Sequence, residues 1–263
     1  MSAVPQTADV PYLLTDVRDG VAWLTLNRPA QYNALSEEML AALLQALDAI
    51  AEDRTVRVIV LGAAGRAFCA GHDLGQMRAR PDIDYYRDLF GRCAKVMTRI
   101  QRMPQPVIAR VHGVATAAGC QLVATCDLAV AAEEARFAVS GINLGLFCST
   151  PSVALSRNVG RKQAFRMLVT GDFISAAEAV EQGLINEAVP ADRLDETIAA
   201  LAAKIVAKPA VAIAAGKDLF YRQIEMGVDA AYQLAGQTMA CNMIDPAAQE
   251  GTLAFLEKRK PNW

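Results

Sequence analysis

The chain has 263 residues, 53% of them hydrophobic and 21% charged, which is ample material for a large core and unlike a disordered segment. Its 26 Lys and Arg against 28 Asp and Glu leave a net charge of −2, so no global field draws it to nucleic acid or to an anionic membrane. Six cysteines without a CxxC pair and only two histidines, His72 and His112, argue against the common zinc patterns and a disulfide framework. Reduced thiols in the cytoplasm are therefore expected. Residues 1–14 carry neither the basic region nor the apolar stretch of a secretory signal. The longest charge-free run, residues 137–156, contains Ser, Asn, Thr and Pro and is badly suited to crossing a bilayer.

In chain order, residues 21–26 have the β-rich composition of a strand, closed by Asn27-Arg28-Pro29. Ser36 is the predicted N-cap of a helix whose apolar positions Met39, Leu40, Leu43, Leu44, Leu47 and Ile50 recur at helical spacing. Residues 56–61 predict a short apolar strand stopped by Gly62, and residues 107–111 predict another. Helices lying between such strands argue for parallel βα crossovers. From Thr150 onward the signals are helical. Ser175 and Glu178 form a capping box, and Gly183 stands at the C′ position of the helix they open. Residues 192–207 predict an Ala/Leu/Ile-rich helix ending before Pro209, and Asp245-Pro246 starts a last helix that ends in Lys258-Arg259-Lys260-Pro261. The expected organisation is an N-terminal tail over 1–12, an α/β core over 13–190 and a helical region over 191–263, without repeats or linkers.

Two glycine-containing turns follow apolar strands, one over residues 66–74 and one over 111–121. The small residues at 117–120 allow a ligand or another backbone to come close and leave N–H groups free. Taken singly, each turn is more simply explained by tight helix–strand packing. Taken together they form part of a longer pattern: Asn33-Ala34-Leu35, Phe68-Cys69-Ala70-Gly71-His72-Asp73, Ala117-Ala118-Gly119-Cys120 and Cys126-Asp127, then residues 170–176 and 255–260. This pattern resembles the enoyl-CoA hydratase/isomerase (crotonase) superfamily over nearly the whole chain from about residue 13. Residues 117–124 and 145–151 resemble its domain-containing protein 3 group most.

The resemblance implies an α/β fold: a crotonase-like ββα spiral core with a helical C-terminal trimerisation region, assembled as a homotrimer or a dimer of trimers. It implies an acyl-CoA thioester as substrate, in fatty acid metabolism, with coenzyme A arriving as part of the substrate and no further cofactor or metal. No nucleic-acid or membrane partner is expected. The backbone N–H groups of His72 and Ala118 would form the oxyanion hole for the thioester oxygen, and the His72 side chain need not act. Asn33, Ala34, Ala70, Asp73, Leu74, Ser140, Asn143 and Cys148 are the expected substrate contacts, with Arg28 and Lys258 as basic candidates at the coenzyme A phosphates. Lys258 could come from a neighbouring subunit, and the 258–260 basic run equally suits a helix C-terminus. A buried Cys148 is expected to be inert, His112 to bond locally, and Glu133 and Glu134 to be solvated.

One departure from the family pattern bears directly on chemistry. Hydratases of the family place and activate water with two glutamates; here Gln121 stands at the first position and Gly141, in Ser140-Gly141, at the second. Glutamine orients a water without taking its proton, and glycine does neither. Loss of a positioned base costs ~10²–10⁴-fold. The resemblance implies a lyase hydrating trans-2-enoyl-CoA to 3-hydroxyacyl-CoA, with weak or absent activity of that kind expected from the two replaced positions. Alternatives are another thioester reaction, decarboxylation of a malonyl-type acyl-CoA or hydrolysis, or a non-catalytic acyl-CoA-binding role. Methylmalonyl-CoA decarboxylase-like members resemble the chain at residues 70–73 and 143–145, although they keep the glutamate replaced by Gln121 and place a tyrosine near Cys148.

Overall fold

The computed structural model describes residues 10–263, so most of the expected 1–12 tail, and most of the segment read as lacking a secretory signal, lies outside the described residues. The chain opens with a hairpin of β1 (Leu13–Arg18) and β2 (Val21–Leu26), joined through Asp19 and Gly20 at φ 53° and 76°. Two consecutive positive φ values give the turn whose twist suits paired strands. The Ser36 hydroxyl then accepts the Met39 N–H at 3.2 Å and starts α1 (Glu37–Glu52).

Three strand–strand–helix units follow. The first is β3 (Val58–Ala63), β4 (Ala67–Cys69), then α2 (Leu74–Ala79) and α3 (Ile83–Arg102). The second is β5 (Val107–Val111), β6 (Val114–Thr116) and α4 (Ala118–Thr125). The third is β7 (Leu128–Ala132), β8 (Arg136–Ala138), then α5 (Ser149–Asn158) and α6 (Arg161–Thr170). The chain ends with β9 (Ile174–Ser175), α7 (Ala176–Glu181), β10 (Glu187–Val189) and helices α8 (Leu194–Val206), α9 (Ala210–Gln223), α10 (Val228–Met243) and α11 (Pro246–Leu256).

In every unit the first strand joins one sheet, ordered β1-β2-β3-β5-β7-β10, and the second strand joins another, ordered β4-β6-β8-β9. Both sheets are parallel except at their edges, where β1 and β9 run antiparallel. The apolar runs in the sequence follow from burial on both faces of the larger sheet. Val58, Val60, Ile108 and Val130 pack with Leu194, Ile198 and Ala202 of α8. Their neighbours Ile59, Leu61, Val107, Ala109 and Ala131 face the main core with α1 and α3. The parallel crossovers match expectation; the passage from one sheet to the other within a few residues does not show in periodicity.

Small boundary shifts have local causes. The strand expected over 56–61 starts at Val58 because the Val56 N–H bonds to Asp53 O, closing the turn after α1. The last helix stops at Leu256, and Lys258 at φ 55° turns the chain out of it before the basic run. The capping box at Ser175 forms, and Gly183 takes φ 80° beyond α7.

Two polar locks join distant segments. Lys217 of α9 donates to Ile100 O (2.7 Å), Gln105 O (2.8 Å) and Asp127 Oδ2 (2.7 Å), and Asp127 also accepts the Val107 N–H and the Tyr221 hydroxyl. Burial pushes the Asp127 carboxyl up and the Lys217 ammonium down, each shift opposed by the other group's charge. Asn33, wholly buried, donates to Ala64 O (2.8 Å) and Ala67 O (2.9 Å) and accepts the Arg28 N–H (2.8 Å). It therefore fastens the loop before α1 to the β3–β4 connection.

Lys217→Ala leaves a carboxylate buried without its counter-ion and is expected to cost about 3–5 kcal/mol in urea unfolding. Asn33→Ala strands one buried carbonyl, one half-buried carbonyl and one N–H, and is expected to cost about 2 kcal/mol. Losses below about 1 kcal/mol in either variant would remove that residue as a lock.

Candidate active site

The C-terminal ends of β4, β6 and β8 lie side by side in the smaller sheet, the edge at which parallel sheets bind ligands. Beyond them is a cavity of about 170 Å³ to which each of the three units contributes: Ala70 and His72 after β4, Ala117 and Ala118 after β6, Ser140 and Gly141 after β8. The turns are tied together. Ala117 donates to Ala138 O at 2.9 Å, Thr116 Oγ1 and Ser140 Oγ are 2.8 Å apart, and the 70–72 turn is held by Ala70 N–H on Tyr32 O (3.0 Å) and Leu35 N–H on Gly71 O (2.8 Å).

Two residues of this wall have backbone N–H groups without an acceptor among the described residues. Ala117 has a positive φ (φ 50°, ψ −121°) and opens α4 without a side-chain cap, although all eight residues of that helix are buried. A buried helix start normally has its free N–H groups capped; the Ala118 N–H has no acceptor among the described residues. The His72 N–H is likewise without one. Gly71 brings the two together. A Cβ on it would lie 3.4 Å from Ala118 N and 2.9 Å from Ala117 Cβ, and its φ of 99° suits no other residue well.

The cavity wall is neutral. Among the described residues no Asp, Glu, Lys or Arg lines it, and its titratable groups are His72 and Cys148. His72 Nδ1 lies 3.3 Å from Leu35 O, its ring meets Phe90 edge-on at 5.4 Å, and burial lowers its pKa below 6.5. Burial raises the Cys148 thiol, while the Gly141 N–H, 3.2 Å from Sγ, opposes this. The Cys69 and Cys120 thiols beneath the site are pushed up to about 12 by desolvation.

Of the expected site residues, His72, Ala118, Gly141, Ala70, Leu74, Ser140 and Cys148 meet at this cavity. The others do not, each for a visible reason. Asn33 is spent on its three backbone bonds, and Ala34 lies in the same loop. Asp73 caps α2 by accepting the Gln76 N–H at 3.0 Å. Asn143 packs against the Gly171 turn, where a Cβ would lie 2.8 Å from its Nδ2. The Arg28 guanidinium donates to Val10, Pro11 and Asn27 carbonyls and stacks on Tyr12 at 3.5 Å, so it is engaged within the chain. Lys258 follows α11, away from the cavity. Gln121 is 5% exposed and off the cavity wall, and its Oε1 has no partner among the described residues. The Gly141 position is closed too: a Cβ there would lie 2.6 Å from Leu146 O and 2.7 Å from Cys148 Sγ. His112 bonds to Gly65 O at 2.8 Å, and Glu133 and Glu134 are exposed. Leu144, Leu146, Phe147, Ser149, Thr150 and Pro151, from the 143–151 stretch that carries part of the resemblance, also line the wall; so do Met77 and Phe90, which were not singled out from sequence because each belongs to an ordinary apolar pattern with nothing to set it apart.

Among the described residues no group of three or more His, Cys, Asp or Glu side chains is gathered as a metal site, and no single helix is long and apolar enough to cross a membrane. Comparison with known proteins gives consistent results. The enoyl-CoA hydratase/isomerase family profile matches residues 16–263. A Xenopus laevis protein named enoyl-CoA hydratase domain-containing protein 3, mitochondrial, is 44% identical over 253 residues, 96% of this chain and 86% of its own. The crystal structure of an enoyl-CoA hydratase from Mycobacterium smegmatis is 65% identical, with a TM-score of 0.96 over 97% of this chain and 99% of that one. That of human enoyl-CoA hydratase domain-containing protein 3 is 43% identical, with a TM-score of 0.93 over 96% and 100%. The cytoplasmic location expected from sequence is overturned here. The Xenopus relative and its counterparts in rat, mouse and human are all named as mitochondrial, which points away from the cytoplasm. Reduced cysteines separate reducing from oxidising compartments and contain nothing that distinguishes two reducing ones. With profile, relatives and fold in agreement, the chain belongs to the enoyl-CoA hydratase/isomerase family.

Proposed function

We propose that this protein binds an acyl-CoA thioester and stabilises the enolate that forms on it, with the His72 and Ala118 N–H groups on the thioester oxygen. The observation that carries this reading is the buried, uncapped start of α4 facing the His72 turn across Gly71. Preorganised donors of this kind contribute about 3–4 kcal/mol each to a developing oxyanion. The cavity is smaller than the roughly 300–1,000 Å³ of a site for a drug-sized ligand, so it suits a short acyl end while the nucleotide lies outside. The bound coenzyme A is part of the substrate, and the chemistry needs no further cofactor.

Relatives named as hydratases support hydration of trans-2-enoyl-CoA as the nominal reaction. The residues argue that it is slow: Gln121 is off the cavity wall and no carboxylate replaces it. The same neutral wall favours a second reading, decarboxylation of a malonyl-type thioester, because nothing there repels the departing carboxylate.

A homotrimer, or a dimer of trimers, is the assembly we infer. Among described residues α10 buries none and α11 only Ala254, while Tyr232, Ile244 and Phe255 are 77%, 79% and 82% exposed. Apolar surface on that scale marks an interface. The division into a core over 13–190 and a helical region over 191–263 belongs to the same proposal, as does a neighbour's Lys258 reaching the coenzyme A phosphates.

Calorimetry with butyryl-CoA is expected to give saturable binding; none at millimolar ligand would end the acyl-CoA reading. Crotonyl-CoA hydration is expected to be slow in wild type, and brisk turnover would show the missing glutamates to be irrelevant. Gly141→Glu is expected to disturb the 146–148 segment and leave hydration unrestored, measured by thermal midpoint and turnover together. Light scattering is expected to give a multiple of the 28.2 kDa chain, and a monomer would exclude the assembly.

A further inference from the structure

The elements around the cavity are held with very different firmness. The 70–72 turn and the start of α4 are tied by backbone bonds, and Phe90 stands on α3, which buries Leu89, Cys93 and Val96. Ser149 to Pro151 begin α5, which buries Pro151, Ala154 and Leu155. The 144–147 segment bonds back on the turn before it, through Gly145 N–H to Ile142 O and Leu146 N–H to Gly141 O, both at 3.0 Å. α2 is different. It brings Leu74 and Met77 to the wall, yet none of its six residues is buried.

What holds α2 in place is polar. Gln76 clasps the start of α1 with both ends of its amide: Oε1 accepts the Glu37 N–H at 3.0 Å, and Nε2 donates to Glu38 Oε2 at 2.9 Å. An N–H only donates and a carboxylate only accepts, so the two contacts fix which way the amide points. The same contact holds the Glu38 carboxyl below the usual carboxylate range. On the other side the Tyr86 hydroxyl of α3 donates to Met77 O at 3.0 Å, and Arg80, just past α2, lies 3.6 Å from Glu37 Oε1. Solvent-exposed polar contacts exchange for water at small net cost, whereas packed apolar surface does not. Of the wall elements, α2 therefore opens most readily.

We propose that Gln76 sets the acyl-chain selectivity of this site: its clasp on Glu37 and Glu38 keeps α2 closed against a short acyl end, and an unbranched chain of medium length enters only when α2 is released from α1. The proposal rests on the acyl-CoA reading above. At about 170 Å³ the cavity takes an acyl end of a few carbons, and a longer chain needs room that one wall must yield. Leu74, Leu144, Leu146 and Phe147 line the cavity while remaining exposed, so they offer the surplus carbons an apolar surface to cover. The apparent affinity for the longer chain is then lowered by the fraction of molecules in which α2 is open, while the short chain binds the closed form. Gln76 is off the wall and acts through Leu74 and Met77, as a positioning residue.

The test is calorimetry with butyryl-CoA and decanoyl-CoA on wild type and Gln76→Ala, with the thermal midpoint as the check on folding. The quantity read is the ratio of the two dissociation constants, butyryl-CoA over decanoyl-CoA, which a general loss of stability does not move. Gln76→Ala removes both bonds of the clasp and is expected to raise that ratio by about 5–30-fold, through tighter binding of decanoyl-CoA. An unchanged or lower ratio, or decanoyl-CoA bound by neither protein, overturns the proposal and leaves the acyl-CoA reading standing as long as butyryl-CoA binds. Absence of butyryl-CoA binding to wild type overturns both. Should Gln76→Ala fail to fold, Tyr86→Phe decides by the same reading: it frees α2 from α3 by one bond, and a rise of about 2–10-fold is expected.

Discussion

The site depends on how closely the β4 segment can lie against the turn from β6 into α4. A Cβ on Gly119 would stand 2.1 Å from Cys69 O, and one on Gly71 would meet Ala117 Cβ at 2.9 Å. Backbone is therefore packed on backbone, with no room for a side chain between. That closeness sets the 70–72 turn against the start of α4. Any residue larger than glycine at position 119 must push the strand end away from that helix start, whatever it does to the rest of the helix.

This approach has a cost, and other elements offset it. Ala117 holds a positive φ, a sparsely populated conformation that a non-glycine residue adopts at about 1–3 kcal/mol. The bonds from Ala117 N to Ala138 O and between Thr116 and Ser140 hold the turn in place, and burial of the whole of α4 fixes the axis it starts. On the other side Asn33 secures the loop whose Tyr32 and Leu35 grip the 70–72 turn. Asn33 thus acts on the cavity without touching it.

Positions 121 and 141, where the family resemblance leads one to expect glutamates, differ in their surroundings. Gln121 is a buried amide within α4. At Gly141 the space a side chain would need is occupied by Cys148 Sγ and the Leu146 carbonyl. Among the described residues the cavity lining is neutral, with the imidazole of His72 and the thiol of Cys148 as its titratable groups.

Much of this was legible in the residue order, and the rest could not be. Periodicity and capping are local signals, so the strand over 21–26, the Ser36 cap, the Ser175 capping box and the Asp245-Pro246 start all read correctly from neighbours a few residues apart. The contiguous motifs around residues 70–74 and 117–120 likewise fall on segments that line one cavity. What tertiary structure alone decided is where side chains point once distant segments meet. Asn33 turns onto carbonyls 31 and 34 residues away, and Lys217 seeks a carboxylate 90 residues away. Arg28 is drawn back to the carbonyls just before β1, and the His72 ring turns to Leu35, 37 residues earlier. A polar side chain goes to whichever partner burial offers it, and that partner exists only after the chain has folded.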